Sequence, residues 1–419
     1  MHVASRLPLA LGLSTALALF APAPAQALTF SLVDLGIAPG WEARQPTTGY
    51  GLNARGDVIG QIGTSQSTQT ALWTAPVQDG SRRSAVYVPP VANGVGYRNG
   101  VGYQINDSGH FVGTLSDGGN MAAVFRDGGW AVLPGVGVAQ STGRAYAIND
   151  AGTIAGQDLP GNYGFPLRWL PNGNGGYTPQ RLNGLGGGGI ARDINQSGQM
   201  AGASNVGALL GASHAVLWQA DNTVTDLGVL DATRNHSEAF ALNDHGTVVG
   251  ASRNAAGKLE AFRWIDGAMS GLGAIPGWEN NPHLGAVSTL SQARDVNNLG
   301  WVVGSALRAD GQTVGFLWRE GLGMVDLNTL ISPADPWFGG SDVFNPHGLL
   351  ITGASATNDR GQILVSAVYN YRLGPANAWQ VTHAFLLSPD ALPAVPEPSS
   401  WALMALGLAV TLRLGRRRA

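Results

Sequence analysis

A short motif recurs seven times along the chain and limits the available folds more than any other feature of the sequence. Its clearest copy reads Ala241-Leu-Asn-Asp-His-Gly-Thr-Val-Val-Gly250. Successive copies lie 43 to 61 residues apart, which is the length expected of a four-stranded propeller blade with variable loops. The asparagines that mark the copies, which we assign a structural role in turns, are Asn53, Asn106, Asn149, Asn195, Asn243, Asn297 and Asn358.

Each copy of the motif predicts a β-hairpin. Phe240 and Leu242 alternate with alanines before the asparagine, and a period of two predicts a strand with one bulky face. The asparagine can cap the backbone two residues on, and the glycine three positions later tolerates a positive φ. A second strand follows, and two further motifs keep step with the first, as in Ala215-Val-Leu-Trp218 and Thr225-Asp-Leu-Gly228. Each unit therefore offers four candidate strands.

The fold class follows from these units. No helix-length periodic stretch occurs between the two ends of the chain, and turn residues recur throughout, which favours an all-β repeat architecture. With 61 glycines and only 12% charged residues, the composition suits short strands and tight turns. We predict a seven-bladed β-propeller over residues 28–390, with a linear β-solenoid as the alternative.

The repeats resemble the extracellular HAF repeat family, which is named for a His-Ala-Phe tripeptide. The tripeptide is intact at His383-Ala-Phe385, and His214-Ala-Val216 is close to it. The resemblance spans most of residues 30 to 388 and implies an extracellular repeat protein. Because the family has no well-defined common activity, the resemblance implies a location and an architecture but no chemistry.

The first residues read as a signal peptide. Leu7 to Phe20 form an almost uninterrupted apolar run, shorter than the roughly 20 residues that span a bilayer as a helix. Ala25 and Ala27 supply the small residues that signal peptidase accepts. We therefore assign residues 1–27 to a signal peptide and expect the mature chain to begin near Leu28.

The last residues, 391–419, carry a second targeting pattern. Pro396-Glu397-Pro398 precedes the apolar stretch Trp401 to Leu412, and an arginine cluster follows. This order resembles the PEP-CTERM sorting signal, which is read by exosortase, a membrane processing enzyme. The resemblance implies cleavage near the Pro-Glu-Pro motif after transient anchoring in the inner membrane, and then release or transfer to the cell surface. It is typical of bacteria that make extracellular polysaccharide.

Composition excludes several classes of function. Cysteine is absent from all 419 residues, so the chain has no disulfide, no thiolate metal site and no cysteine nucleophile. A net charge of -3 with the single lysine Lys258 gives no basic stripe for a nucleic acid. The histidines show no metal-ligand spacing, and neither a nucleophile elbow nor a phosphate-binding loop is present.

No cofactor is evident from these patterns. The repeated Asn-Asp pairs offer oxygen atoms suited to calcium, but they fall short of a multi-carboxylate loop. Asx-turn capping explains the same residues without any ion and is the interpretation we favour.

Two groups of residues are candidates for ligand binding. Arg192 and Arg294 stand where other units place tyrosine or phenylalanine. If those strands line the axial channel, the arginines could meet an anionic polysaccharide; salt bridges between blades, for example with Asp193 or Asp295, are the alternative. Loop aromatics outside the repeat motifs could stack on sugars or simply fill gaps between blades; they are Trp41, Trp278, Trp337 and Phe338.

These features lead to two hypotheses for function. The first is a non-catalytic surface or extracellular-matrix protein that binds carbohydrate or protein through its loops. The alternative is an exported propeller enzyme, a hydrolase or lyase acting on extracellular polysaccharide. Its catalytic carboxylates would come from a small set of acids: Asp193, Glu238, Glu260, Asp295 and Glu320. Two or three of these in one pocket beside Arg192 or Arg294 would favour the enzyme.

Overall fold

The structure is a computed structural model that describes residues 28–36, 45–64, 67–75, 85–92, 94–138, 140–159, 164–207, 212–278, 288–332, 335, 348–372 and 378–390. Within these residues the strands form seven sheets, and a 3-10 helix spans Leu327–Leu330. The sheets are the blades of a β-propeller. The prediction of a seven-bladed propeller is therefore confirmed, and the β-solenoid alternative is wrong.

We number the blades along the chain and give the inner strand of each first. Blade 1 contains β2 (Thr47–Leu52), β3 (Val58–Thr64), β4 (Ser67–Trp73) and β5 (Val86–Val88). Blade 2 contains β8 (Asn99–Ile105), β9 (Phe111–Ser116), β10 (Asn120–Arg126) and β11 (Gly129–Val132), and two short strands extend it outward, β6 (Val91–Ala92) and β7 (Val95–Gly96). Blade 3 contains β12 (Arg144–Ile148), β13 (Ile154–Asp158), β14 (Phe165–Pro171) and β15 (Tyr177–Arg181).

The remaining blades follow the same order. Blade 4 contains β16 (Gly186–Ile194), β17 (Met200–Val206), β18 (Ser213–Trp218) and β19 (Val224–Asp226). Blade 5 contains β20 (Ser237–Leu242), β21 (Val248–Arg253), β22 (Leu259–Ile265) and β23 (Ala268–Gly273). Blade 6 contains β24 (Ser291–Val296), β25 (Val302–Leu307), β26 (Thr313–Arg319) and β27 (Gly323–Asp326). Blade 7 contains β28 (Leu350–Thr357), β29 (Ile363–Arg372), β30 (Ala378–Pro389) and, as its outer strand, β1 (Phe30–Asp34).

The ring closes within blade 7, where the first strand of the chain pairs with the last. β1 lies antiparallel to β30 with Leu32 opposite Leu387. Phe30 is fully buried and makes an edge-to-face contact with Trp301 of blade 6, at 6.3 Å between ring centroids. Because the outer strand of the last blade comes from the beginning of the chain, neither end alone completes the seventh sheet.

The repeated asparagine forms the turn between the inner and second strands of each blade. In blade 5, Oδ1 of Asn243 accepts hydrogen bonds from the amides of His245 and Thr247 at 3.1 and 2.9 Å. Gly246 has a φ of 78°, which a residue with a Cβ rarely adopts. The capping bond to the amide two residues on, proposed from the sequence, is thus accompanied by a second bond to the amide four residues on.

The two accompanying motifs interlock neighbouring blades. Trp218 ends the third strand of blade 4, where it is fully buried opposite Met200. Its indole nitrogen donates to the carbonyl of Asn183, which follows the outer strand of blade 3. Trp73 and Trp169 make the corresponding bonds to blades 7 and 2. The core accordingly lies between the blades rather than inside any one of them.

Each inner strand contains a β-bulge three residues before its asparagine. In blade 5 the register shifts between Ala239 and Ala241, so Phe240 is the bulged residue. Phe240 is partly exposed, whereas Leu242 is buried with Ala239 and Val248 against blade 4. The expectation that Phe240 and Leu242 share one bulky face is therefore wrong, because the bulge interrupts the alternation.

The second glycine of the motif provides room for this bulge. A Cβ on Gly250 would lie 2.0 Å from the carbonyl oxygen of Glu238 on the inner strand. Blade 7 has Val365 at this position, and its inner strand carries an additional register shift between Ile351 and Gly353. An additional shift also occurs in blade 4, between Gly186 and Gly189, so it is not specific to the degraded seventh motif.

Candidate functional site

The bulges direct one side chain from every blade into the axial channel. These seven residues line a single cavity of about 140 Å³. We call this cavity the arginine vestibule; its bulged residues are Tyr50, Tyr103, Tyr146, Arg192, Phe240, Arg294 and Ser355.

Three tyrosines form one side of the arginine vestibule. The rings of Tyr50 and Tyr103 lie 5.7 Å apart edge to face, and those of Tyr103 and Tyr146 lie 5.6 Å apart. Burial, together with the neighbouring Tyr103, raises the pKa of Tyr50 to about 12, and burial also raises the pKa of Tyr146. These hydroxyl groups therefore stay protonated near neutral pH and can donate hydrogen bonds.

Two arginines and a phenylalanine form the opposite side. The guanidinium carbons of Arg192 and Arg294 lie 5.1 and 4.8 Å from the ring centroid of Phe240, within the range of a cation–π interaction. Desolvation within the cavity, followed by the nearby charge of Arg192, lowers the pKa of Arg294, although part of its side chain stays accessible to solvent. The two cations thus remain close together although they repel each other.

The arginines do not pair with the aspartates named as their alternative partners. Arg192 forms an interblade salt bridge to Glu238 at 3.0 Å, while Arg294 donates to Gln292 of its own strand at 2.7 Å. The buried Nε of Arg192 has no hydrogen-bond partner within the part of the chain that the structure describes. One interblade salt bridge is therefore present, but it leaves part of the guanidinium unsatisfied.

Three polar residues form the floor of the arginine vestibule, each two positions before a repeat asparagine. Gln104, Asp193 and Asp295 accept hydrogen bonds from the backbone amides of Ile148, Leu242 and Thr357, each in the following blade, at 2.7, 3.0 and 2.7 Å. The side-chain amide of Gln104 also donates to Asp193 at 2.9 Å, which links blade 2 to blade 4. We call Gln104, Asp193 and Asp295 the throat.

The two aspartates of the throat have raised pKa values. Burial raises the pKa of Asp193 to about 6. Burial and the nearby charge of Asp193 raise the pKa of Asp295 to about 7. The two carboxyl groups share a small space, so they titrate as a coupled pair near neutral pH.

A second cavity of about 290 Å³ lies on the other side of the throat, among the asparagine turns. We call it the turn vestibule. Its acidic side chains accept backbone hydrogen bonds from the preceding blade, as Asp107 does from Ala54 and Asp244 from Gln196. Over the described ranges, no group of three or more potential metal ligands is placed to hold an ion. Through these bonds, Asp107 and Asp244 join the turns of neighbouring blades.

The other predicted site residues lie elsewhere. Trp278 is partly exposed beyond the outer strand of blade 5, and its amide donates to Ile275. Glu260 accepts from Asn254 and Gly273, and Glu320 pairs with Arg263, so neither lines the arginine vestibule. Several predicted residues lie outside the described residues: Ala25, Ala27, Trp41, Trp337, Phe338, Pro396, Glu397 and Pro398.

The sequence alone did not identify the tyrosines or Gln104 as site residues. Their common offset from the repeat asparagine was the available signal, since Tyr103 holds the same position as Arg192, and Gln104 the same position as Asp193. The bulge that turns this offset toward the axis is visible only in the paired strands.

Comparison with known proteins identifies the C-terminal segment. Residues 394–418 match the PEP-CTERM protein-sorting motif. The chain is therefore an exported protein whose C-terminal anchor is processed by an exosortase-type enzyme. None of the helices within the described residues is long and apolar enough to cross a membrane.

No curated protein matches the chain. A crystal structure of a GH62 hydrolase in complex with xylotriose aligns over 86% of this chain and 97% of its own, at 10% identity and a TM-score of 0.29. A TM-score of that size does not establish a shared fold.

Proposed function

We propose that this protein is a non-catalytic binder of acidic saccharides that acts at the cell surface or in the extracellular matrix. The observation that supports this most directly is the position of Arg192 and Arg294, which line the same open cavity as the three tyrosines. The signal peptide inferred for residues 1–27, the HAF-type repeats and the association of the sorting motif with extracellular polysaccharide support the same location.

The arginine vestibule has the chemistry that a sugar acid requires. Guanidinium groups bind carboxylates through charge-assisted hydrogen bonds, often in pairs. Tyrosine supplies both a hydroxyl donor and an apolar ring that can lie against a sugar. Arg192 and Arg294 would hold the carboxylate, and Tyr50, Tyr103 and Tyr146 would contact the ring and its hydroxyl groups. Arg192 already pairs with Glu238, so a neutral sugar would chiefly leave Arg294, which donates to the neutral Gln292, without an anionic partner.

The throat favours binding over catalysis. Asp193 and Asp295 direct carboxylate oxygens at backbone amides of the next blade. Gln104 accepts the same bond at the equivalent position of blade 2, although its side chain is an amide and not a carboxylate. Because an amide side chain serves there equally well, the shared role of the three residues is to join blades.

The test is a binding titration of the 28–394 domain, since all seven blades are completed by residues between Thr29 and Asp390. Galacturonate oligosaccharides are compared with the matching neutral galactose oligosaccharides. We expect saturable binding of the acidic series only, and at least a tenfold loss in Arg192→Gln/Arg294→Gln. Arg181→Gln is the matched control, because Arg181 also stacks on an aromatic ring, Phe165, but lies on an outer strand. Equal binding of both series, or binding unaffected by the double substitution, would overturn the proposal.

The loop aromatics are candidates for a second contact with the saccharide. Trp278 lies at the start of one connection between blades, and Trp41, Trp337 and Phe338 come from two others. Trp337→Ala in the same titration measures this contribution, and a loss smaller than that of the arginine variant would place the principal site in the arginine vestibule.

An exported hydrolase or lyase acting on extracellular polysaccharide is the second candidate. It is favoured by one observation, namely that Asp193 and Asp295 have raised pKa values and line the same cavity as Arg192 and Arg294. A raised pKa near neutrality suits a general acid. New reducing ends or unsaturated products in the titration wells, abolished by Asp295→Asn, would make the enzyme the better proposal.

A further inference from the structure

We infer that the arginine vestibule recognises the end of an acidic saccharide chain rather than an internal stretch of the chain. This inference rests on the proposed function and specifies its substrate class. Three features of the channel support it: the size of the cavity, the narrow throat and the distribution of charge along the axis.

The size of the cavity limits the bound group. Pockets for drug-sized ligands occupy roughly 300 to 1,000 Å³, whereas the arginine vestibule occupies about 140 Å³. A space of this size accommodates one ring with its carboxylate. An internal residue of a chain would need two openings, one for each glycosidic neighbour.

The throat narrows the second opening along the axis, although blades 1 and 7 contribute only Gly51 and Ala356 at this level. Gln104 and Asp193 are bonded to each other from blades 2 and 4, across the place where blade 3 contributes only the small side chain of Ala147. Asp295 lies close enough to Asp193 for their charges to interact, with only Ala241 at the intervening position. The three side chains are also fixed by the amides of the following blades. A saccharide that passed on this side of the axis would have to displace these side chains.

The charge distribution opposes threading as well. The arginine vestibule has two arginines at its bulged positions, whereas the described lining of the turn vestibule contains neither arginine nor lysine. That lining instead contains Asp107, Asp150, Asp244 and Asp359 in addition to the throat. A polyanion is therefore attracted at one mouth of the channel and repelled beyond the throat. Electrostatic repulsion therefore opposes the passage of an acidic chain along the axis, which favours binding of a chain terminus.

The experiment uses polygalacturonate cut to several mean lengths, from three residues to about fifty, titrated calorimetrically into the 28–394 domain. Recognition of ends gives one saturable site per chain end and an affinity per mole of chain that stays within about threefold across lengths. Monomeric galacturonate competes in this case. Recognition of internal residues instead gives a number of bound proteins that rises with chain length, and this outcome would overturn the inference.

Two further probes identify the end and separate this inference from the proposed function. Borohydride reduction opens the sugar at the reducing end, and lyase digestion leaves an unsaturated ring at the other, so loss of binding with one probe assigns the terminus. If both blocked oligomers bind as well as the intact one while the monomer fails to compete, end recognition is wrong. The absence of binding at every length contradicts the proposed function itself. Arg181→Gln again serves as the control. Arg192→Gln should weaken the binding of every oligosaccharide that binds the unsubstituted domain at least tenfold.

Discussion

The side-chain amide of Asn358 donates a hydrogen bond to the backbone carbonyl of Asn53 at 3.0 Å, and so joins two turns that are 305 residues apart in the chain. The same bond links each of the other six pairs of consecutive repeat asparagines, at 2.8 to 3.2 Å. The seven bonds close into a ring around the axis. Each asparagine thus caps its own turn through Oδ1 and holds the next blade through Nδ2.

The ring explains why asparagine rather than aspartate marks the repeat, and substitution tests this. In Asn243→Asp, the carboxylate can still accept from the turn amides but cannot donate to the carbonyl of Asn297, now 3.0 Å from Nδ2. Leaving a buried acceptor unpaired costs about 1 to 3 kcal/mol, and the added charge increases the loss. We expect the free energy of unfolding at pH 7, measured in urea, to fall by about 2 to 4 kcal/mol.

The pH dependence of Asn243→Asp gives the control. The site raises the pKa of the new carboxyl, so its protonated form, which can donate, is regained as the pH falls. The deficit relative to wild type should therefore shrink between pH 7 and pH 5. Asp150→Asn, in the equivalent turn of blade 3, keeps an oxygen for the amide of Asp107 and should change stability by less than about 0.5 kcal/mol. A deficit that is equal at both pH values would contradict the donor role.

Closure of the ring by the first strand predicts a large effect at Phe30. Phe30→Ala leaves a cavity beside Trp301, and deletion of a buried aromatic side chain costs about 3 to 5 kcal/mol. Ser31→Ala is the matched control because Ser31 points outward from the same strand. Urea unfolding should show the loss for Phe30→Ala alone. Similar midpoints for the two variants would mean that β1 contributes little to closure.

The turns and strands of each hairpin could be predicted because all the residues that form them lie within one repeat. The asparagine, the positive-φ glycine and the flanking strands are adjacent in sequence, so propensity and turn chemistry are sufficient to predict them. The bulge at Phe240 could not be predicted, because a register shift is a relation between two paired strands. The alternation around it consequently suggested the wrong face for one of two bulky residues.

The candidate site was predictable only in part for a similar reason. Arg192 and Arg294 stand out because they break a repeated pattern, and such a departure is visible in the sequence alone. The throat depends on how the blades are arranged around the axis, since Gln104 meets Asp193 across an intervening blade. No single repeat contains that relation. The same holds for β1, whose sequence fits an outer strand but does not specify the blade it joins.

The close approach at the second glycine of each repeat gives a sharp test of the bulge. A Cβ at Gly250 would lie 2.0 Å from the carbonyl oxygen of Glu238 and 2.9 Å from Ala239 Cα, so Gly250→Ala forces the first two strands apart. Overpacking of this kind costs about 1 to 3 kcal/mol or more. Gly129 is also in a strand but has no atom within 4 Å of a Cβ, so Gly129→Ala should be neutral or slightly stabilising. Thermal unfolding of the pair checks the prediction, which is contradicted if both tolerate alanine.

The raised pKa values in the throat make the stability of the propeller depend on pH. Asp193 titrates at about 6 in the folded protein and at roughly 3.9 when unfolded, and Asp295 is raised further, to about 7. The native state therefore binds protons that the unfolded chain has released, so the free energy of unfolding falls as the pH rises from about 4 to 7. For Asp193 the change is on the order of 3 kcal/mol. Asp193→Asn can still accept from the amide of Leu242, but its own NH2 group then faces the donating Nε2 of Gln104. We therefore expect a lower free energy of unfolding overall and a flatter fall between pH 5 and pH 8, whereas Asp117→Asn on an exposed hairpin should leave the fall unchanged. An unaltered slope in Asp193→Asn would show that the throat aspartate is ionised throughout this range.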